Sequence, residues 1–229
     1  MPAAMSLAFA FSVSAEGPAQ PAQSAPAETQ QAVPTVAAAK PAEPKLADFG
    51  NETTSAQAKR VADWVVSSGD SKGLPFVVID KAEAKVFVFE PAGTLRGAAP
   101  ALLGISRGDH IAPGIGKLPL SKIKLADRTT PAGRFEASLG ENAQGKDILW
   151  VDYDSALSLH RVATGNAKER RAQRLSTPTP ADNRISFGCI NVPVPFYEKV
   201  VSPAFKGTRG IVYVLPESRG LQEVFADLR

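Results

Sequence analysis

Two runs early in the chain, Phe76-Val77-Val78-Ile79-Asp80 and Lys85-Val86-Phe87-Val88-Phe89, consist almost wholly of β-branched and aromatic residues and are separated by Lys81-Ala82-Glu83-Ala84. Such residues suit a pleated, half-buried surface, and the short break between them predicts a hairpin. Ahead of it, Ala58, Val61, Trp64 and Val65 share one helical face behind Thr54-Ser55 and before Gly69. A hydroxyl that can cap the start and a glycine that can stop the end make this an amphipathic helix. Further β segments are expected around 133–138, 148–153, 158–160 and 210–215, with helical pieces at 167–174, 195–201 and 221–228. Between 97 and 130 the chain is punctuated by Gly104, Gly108, Pro113, Gly114, Gly116 and Pro119, so strands there must be short and loops irregular. No internal repeat is visible. The fold class is mainly β: a single sandwich or mixed-sheet domain with a few peripheral helices.

Composition divides the chain unevenly. Residues 1–15 are small and apolar and end Val13-Ser14-Ala15, the spacing of small residues that precedes a signal-peptide cut, although a positively charged start is missing. The expected location is therefore the periplasm or cell wall. Residues 16–46 are rich in Ala, Pro, Gln and Glu with almost no large apolar side chains, a composition that cannot bury enough surface to offset the entropy of ordering. They are expected to be a disordered linker, leaving 47–229 as the folded domain. No stretch approaches the roughly 20 apolar residues of a membrane-spanning helix, so no stable membrane span is expected.

The net charge of +3 with a pI near 9.0 is mildly basic. That favours anionic envelope polymers and falls short of a nucleic-acid footprint, so no nucleic-acid partner is expected. Charge says nothing of the oligomeric state.

The chain has one cysteine, Cys189, and two histidines, His110 and His160. A lone cysteine forms no internal disulfide and is either a packed, inert thiol or a reactive one. Its setting is Arg184-Ile185-Ser186-Phe187-Gly188-Cys189-Ile190-Asn191-Val192. Gly188 permits a tight turn and close approach of backbone to a ligand, and peptide N–H groups near Gly188 and Cys189 would face the oxygen of a carbonyl brought to the sulfur. A nucleophilic thiol also needs a base. His160 ends an expected strand, whereas His110 lies in a loop, which makes His160 the better candidate. Ser186 is read as orienting the base, lining the pocket or capping its own turn. Arg161, Arg184 and Asn191 are candidates for substrate binding, the arginines because guanidinium forks suit carboxylates. The basic run Lys168–Arg174 reads as an exposed helix face, with a lid over the acyl pocket as the alternative.

These residues resemble the catalytic motif of the L,D-transpeptidase, or YkuD-type, domain family: a histidine, a spacer, then Ser or Thr, one variable residue, Gly, Cys, an aliphatic residue and Asn or Arg. Thr130-Pro131-Ala132-Gly133-Arg134-Phe135 is similar to that family's Thr-Pro-x-Gly-x-Phe strand entry, and the hairpin at 77–89 is similar to its first one. The resemblance covers about 74–216. Two differences stand out: His160 and Cys189 lie 29 residues apart, beyond the family's usual spacer, and Phe187 and Arg161 occupy positions that are often histidine and glycine. The resemblance implies a cysteine acyltransferase in which His160 takes the Cys189 proton, the thiolate attacks a peptidoglycan stem peptide, and a thioester passes to an amine. The partners implied are peptidoglycan stem peptides; no metal and no cofactor are implied. Two alternatives are a hydrolase, an L,D-carboxypeptidase or amidase with the same residues, and a non-catalytic wall-binding module.

Overall fold

The computed structural model describes residues 45–228, so the apolar start and nearly all of the linker lie outside the described residues. Among the described residues, ten strands form an eight-stranded mixed sheet and a separate two-stranded one. In chain order the strands are β1 (Phe76–Asp80), β2 (Lys85–Phe89), β3 (Leu95–Pro100), β4 (Leu103–Gly104), β5 (Gly133–Glu141), β6 (Asp147–Asp152), β7 (Leu157–Arg161), β8 (Arg184–Ser186), β9 (Ile190–Val192) and β10 (Arg209–Val214). The large sheet runs β3-β2-β1-β10-β5-β6-β7-β9, and β4 pairs with β8. The fold is mainly β, as expected, and the hairpin is present as β1 and β2 in antiparallel register, Phe76 opposite Phe89 and Asp80 opposite Lys85.

The middle of the sheet explains why β1 and β10 carry apolar residues at successive positions. β1 and β10 pair in parallel, with Val77 opposite Val212 and Ile79 opposite Val214. Both faces of this pair are covered, the usual setting of parallel strands, so successive side chains enter two different cores. Val77, Ile79, Val212 and Val214 enter one, with Leu149, Leu159, Ile190 and Phe205. Phe76, Val78, Ile211 and Tyr213 enter the other, where helix α1 (Ala56–Ser68) packs. Ser55 caps α1 by accepting from the Ala58 N–H at 3.0 Å, and Gly69 ends it at a φ of 71°. Burying Val61 and Val65 of this helix contributes about 1.5–3 kcal/mol each.

The remaining helical pieces depart from the expected ones: the first is broken, the second runs longer and the third is shorter. Around 167–174 a 3₁₀ turn (Ala167–Glu169) and α2 (Arg171–Arg174) are separated by Arg170, whose φ of 52° breaks the helical run. Residues 194–205 run on from α3 (Val194–Phe196) through a π turn (Tyr197–Val201) into α4 (Ser202–Phe205). At the C-terminal end α5 (Leu221–Val224) stops early, and Phe225 and Leu228 pack beyond it into the core beside α1. No described helix is long and apolar enough to cross a membrane.

Two residues of the hairpin turn, Lys81 and Ala84, are not on the surface. Lys81 is fully buried, and its ammonium donates to Asp109 at 2.6 Å, to the Gly108 carbonyl at 2.7 Å and to the Thr130 carbonyl at 2.8 Å. Asp109 also accepts from the backbone of Glu217, Ser218 and Arg219. Burial pushes the Lys81 ammonium below the ordinary lysine range, with Asp109 and Glu217 opposing. Burial likewise pushes the Asp109 carboxyl up, but its bonds to Lys81, Ser218 and the Glu217 N–H prevail and hold it well below the usual carboxylate range. Removing one partner of such a pair strands a buried charge, so Lys81→Met is expected to cost about 3–5 kcal/mol of stability. Lys85→Met, which loses a partly exposed pairing with Glu52 and a surface bond to the Thr53 carbonyl, is expected to cost less than about 1 kcal/mol. Urea denaturation of both variants checks this, and equal midpoints would show that the buried ammonium carries no special weight.

Candidate active site

The parallel pairing of β7 with β9 sets Leu159 opposite Ile190 and His160 opposite Asn191. Continuing that register by one step places Ser158 beside Cys189, which ends the turn entering β9. Side chains alternate along a strand. Leu157 and Leu159 therefore enter the core, while Ser158 and His160 share the other face with the sulfur. The Ser158 hydroxyl donates to Cys189 Sγ at 3.6 Å, and Sγ lies 3.5 Å from the Ala156 carbonyl.

The turn itself is tightly held. Gly188 has a φ of 135°, and a side chain there would meet the Thr129 carbonyl oxygen at 2.8 Å, so the position requires glycine. The Ser186 hydroxyl accepts from the Gly188 N–H at 3.0 Å and donates to the Cys189 carbonyl at 2.7 Å. Of the roles read for Ser186, the structure gives it the capping one. It also corrects the reading of Gly188 as an oxyanion donor, because that N–H is committed to Ser186. The Cys189 N–H donates to nothing among the described residues.

His160 lies 2.7 Å through Nδ1 from the Arg161 carbonyl. A carbonyl only accepts, so the proton sits on Nδ1 and Nε2 is left for the thiol. Burial pushes the imidazole down, but its hydrogen bond and charge attraction to Cys189, helped by the Arg161 carbonyl, raise it above the ordinary histidine value. Burial pushes the Cys189 thiol up, but His160 and then Ser158 prevail and bring it below the ordinary thiol value. Opposite shifts in a neighbouring pair favour thiolate beside imidazolium, the nucleophilic form of cysteine.

Cys189 opens on a cleft of about 540 Å³ counting its mouth. Its walls are mostly aliphatic, with Ile111, Ile115, Leu118 and Leu120 from the irregular 97–130 stretch and Phe187 beside the turn. The Arg128 guanidinium stacks over Phe187, 4.1 Å from its ring centroid. His110 lines the same cleft, 3.8 Å from Asp127, and is exposed.

The three substrate-binding candidates have other employment. Arg184 forms a bidentate pair with Glu217 at 2.7 and 3.0 Å and donates to the Lys81 carbonyl at 2.7 Å. Arg161 points away from His160, donates to Asp147 at 2.9 Å and Glu198 at 3.1 Å, and stacks on Tyr197. Both guanidiniums thus already hold carboxylates of this chain. Asn191 is fully buried; its amide donates to the Cys189 carbonyl at 3.2 Å and accepts from Arg171 at 2.8 Å, bracing the turn. The lid alternative for the basic run is also corrected. Among the described residues none from 166–180 lines the cleft, and the run instead reaches the back of the site through Arg171. Ser158 was missed from sequence, though its place two residues before His160 on a strand was the available signal.

No family model matches the chain, and no curated protein matches it. Solved structures do. The catalytic domain of an L,D-transpeptidase from E. faecium, solved by NMR, is 15% identical with a TM-score of 0.36, and the match covers 62% of this chain and 96% of that one. The helical cell shape determining protein Pgp2 (K307A mutant) from Campylobacter jejuni is 14% identical with a TM-score of 0.41, over 72% of this chain and 58% of that one. The LD transpeptidase LdtMt1, in complex with imipenem, is 15% identical with a TM-score of 0.34, over 62% and 58%. The chain is thus similar to L,D-transpeptidase catalytic domains among solved structures.

The shifts set a sign for thiol reactivity. Alkylation of Cys189 by iodoacetamide is expected to reach half its plateau rate below pH 8.5, the rough midpoint of a free thiol. His160→Ala removes the charge that favours thiolate, and the midpoint is expected to move up. Rates followed by mass spectrometry from pH 5 to 10 check this; an unmoved midpoint would show that the two side chains are not coupled.

Proposed function

We propose that this chain is a cysteine acyltransferase of the cell envelope, with Cys189 as nucleophile and His160 as base. The observation that carries the reading is the strand register that sets Ser158 and His160 on one face beside a half-buried thiol opening on a cleft. His160 Nε2 takes the thiol proton, the thiolate attacks an amide carbonyl, and the tetrahedral oxygen takes up the Cys189 N–H. The amine leaves with a proton from His160, and a thioester remains on Cys189. A second amine then attacks the thioester and gives up its proton to His160 as the sulfur leaves.

The substrate class, peptidoglycan stem peptides, comes from the resemblance of the His160, Ser186–Asn191 and Thr130–Phe135 motifs. A periplasmic or wall-facing location, with a role in wall biogenesis and cell shape, follows from that substrate. Hydrolysis by the same residues differs only in water replacing the second amine. The wall-binding alternative has less support, because a thiol lowered by a neighbouring imidazole has no use in simple binding.

Incubating the purified protein with tetrapeptide muropeptides and reading the products by mass spectrometry tests the reading. Cross-linked dimers are expected, absent with Cys189→Ala and reduced at least about 100-fold with His160→Ala, the scale on which general-base catalysis is lost. Tripeptide alone would identify the hydrolase; unchanged muropeptides would remove the peptidoglycan assignment.

A further inference from the structure

We infer that Thr130 is a positioning residue for acyl transfer, its hydroxyl holding the Gly188–Cys189 peptide so that the Cys189 N–H faces the developing oxyanion. The inference rests on the reading that Cys189 forms an acyl intermediate. Thr130 is fully buried at the entry to β5, and its hydroxyl donates to the Gly188 carbonyl at 2.7 Å. The same oxygen accepts from the Gly104 N–H at 2.9 Å, which directs its proton to Gly188. Lys81 fixes the Thr130 backbone through its carbonyl at 2.8 Å.

The carbonyl of Gly188 and the N–H of Cys189 are opposite ends of one planar trans unit. Drawing the carbonyl inward toward Thr130 therefore turns the N–H outward, to the side where the sulfur meets the cleft. Gly188 cannot hold this orientation alone, because its φ of 135° lies in a region that glycine enters and leaves freely. The Ser186 hydroxyl fixes the preceding N–H and the following carbonyl, but not this unit. An oxyanion donor is effective because it is aimed before the charge develops, and Thr130 does the aiming here.

Two reactions of one thiol separate this role from a general structural one. Acetylation by p-nitrophenyl acetate forms the Sγ–C bond through a tetrahedral oxyanion and expels p-nitrophenolate. Alkylation by iodoacetamide displaces iodide at a saturated carbon and forms no oxyanion. Thr130→Val, or Thr130→Ala if the valine variant does not fold, is expected to slow acetylation about tenfold to 100-fold, less than the roughly 100- to 1,000-fold lost with an oxyanion donor itself because the Cys189 N–H stays but is no longer aimed. Alkylation and its pH midpoint should stay within about twofold of the unmodified protein, and Thr130→Ser should restore acetylation. Equal slowing of both reactions, or unchanged acetylation in a variant with native circular dichroism, would overturn the inference. A native Cys189 that alkylates but takes no acetyl group would overturn it together with the acyltransferase reading. Normal acetylation with unchanged muropeptides would remove only the peptidoglycan assignment.

Discussion

The buried ammonium of Lys81 is the contact on which the arrangement around the cleft depends. It directly follows β1 and binds three separate parts of the chain: the 108–109 loop, the entry to β5 at Thr130, and the segment at 217. Arg184 adds β8 through the Lys81 carbonyl. These contacts tie the sheet to the loops that carry the cleft and the cysteine turn. A charge taken out of water must be fully satisfied to persist, and once satisfied it permits little movement of its partners. The stretch from 105 to 130, which forms no strand, is thereby held in place.

Much of the fold was legible because its signals are local. The β1–β2 hairpin, the capped helix α1 and β10 announce themselves in runs of apolar residues with the right period. The parallel pairs β1–β10 and β7–β9 join segments far apart in sequence, and no local pattern encodes them. Lys81 looked like an exposed turn residue because lysine is almost always solvated; its burial depends on Asp109 and Glu217, which only the folded chain brings near. The broken helix at 167–174 shows the limit of composition, since Arg170 interrupts a run that charge spacing alone would continue.

The site divides in the same way. Cys189, Gly188 and His160 could be singled out because their chemistry is rare in this chain. Arg161, Arg184 and Asn191 were selected for what their side chains bind in general, and the structure supplies partners from within: Glu198, Glu217 and the Cys189 carbonyl. Thr130 and Ser158 carry no chemical signature of their own. Their importance lies in the carbonyl and sulfur that they reach, which are set by tertiary contacts.

The Nδ1 contact of His160 with the carbonyl of its own neighbour has a consequence for how such a chain can vary. Tautomer and ring orientation are fixed within a dipeptide, and the cysteine turn is fixed by Ser186, Asn191 and Thr130, with the chain between reaching it through Arg171. Neither depends on the length of chain between them. The intervening segment is therefore free to lengthen, acquire charge or take on new contacts while the reactive pair stays in alignment, so the long spacer here marks a place where the domain can diversify without rebuilding its centre.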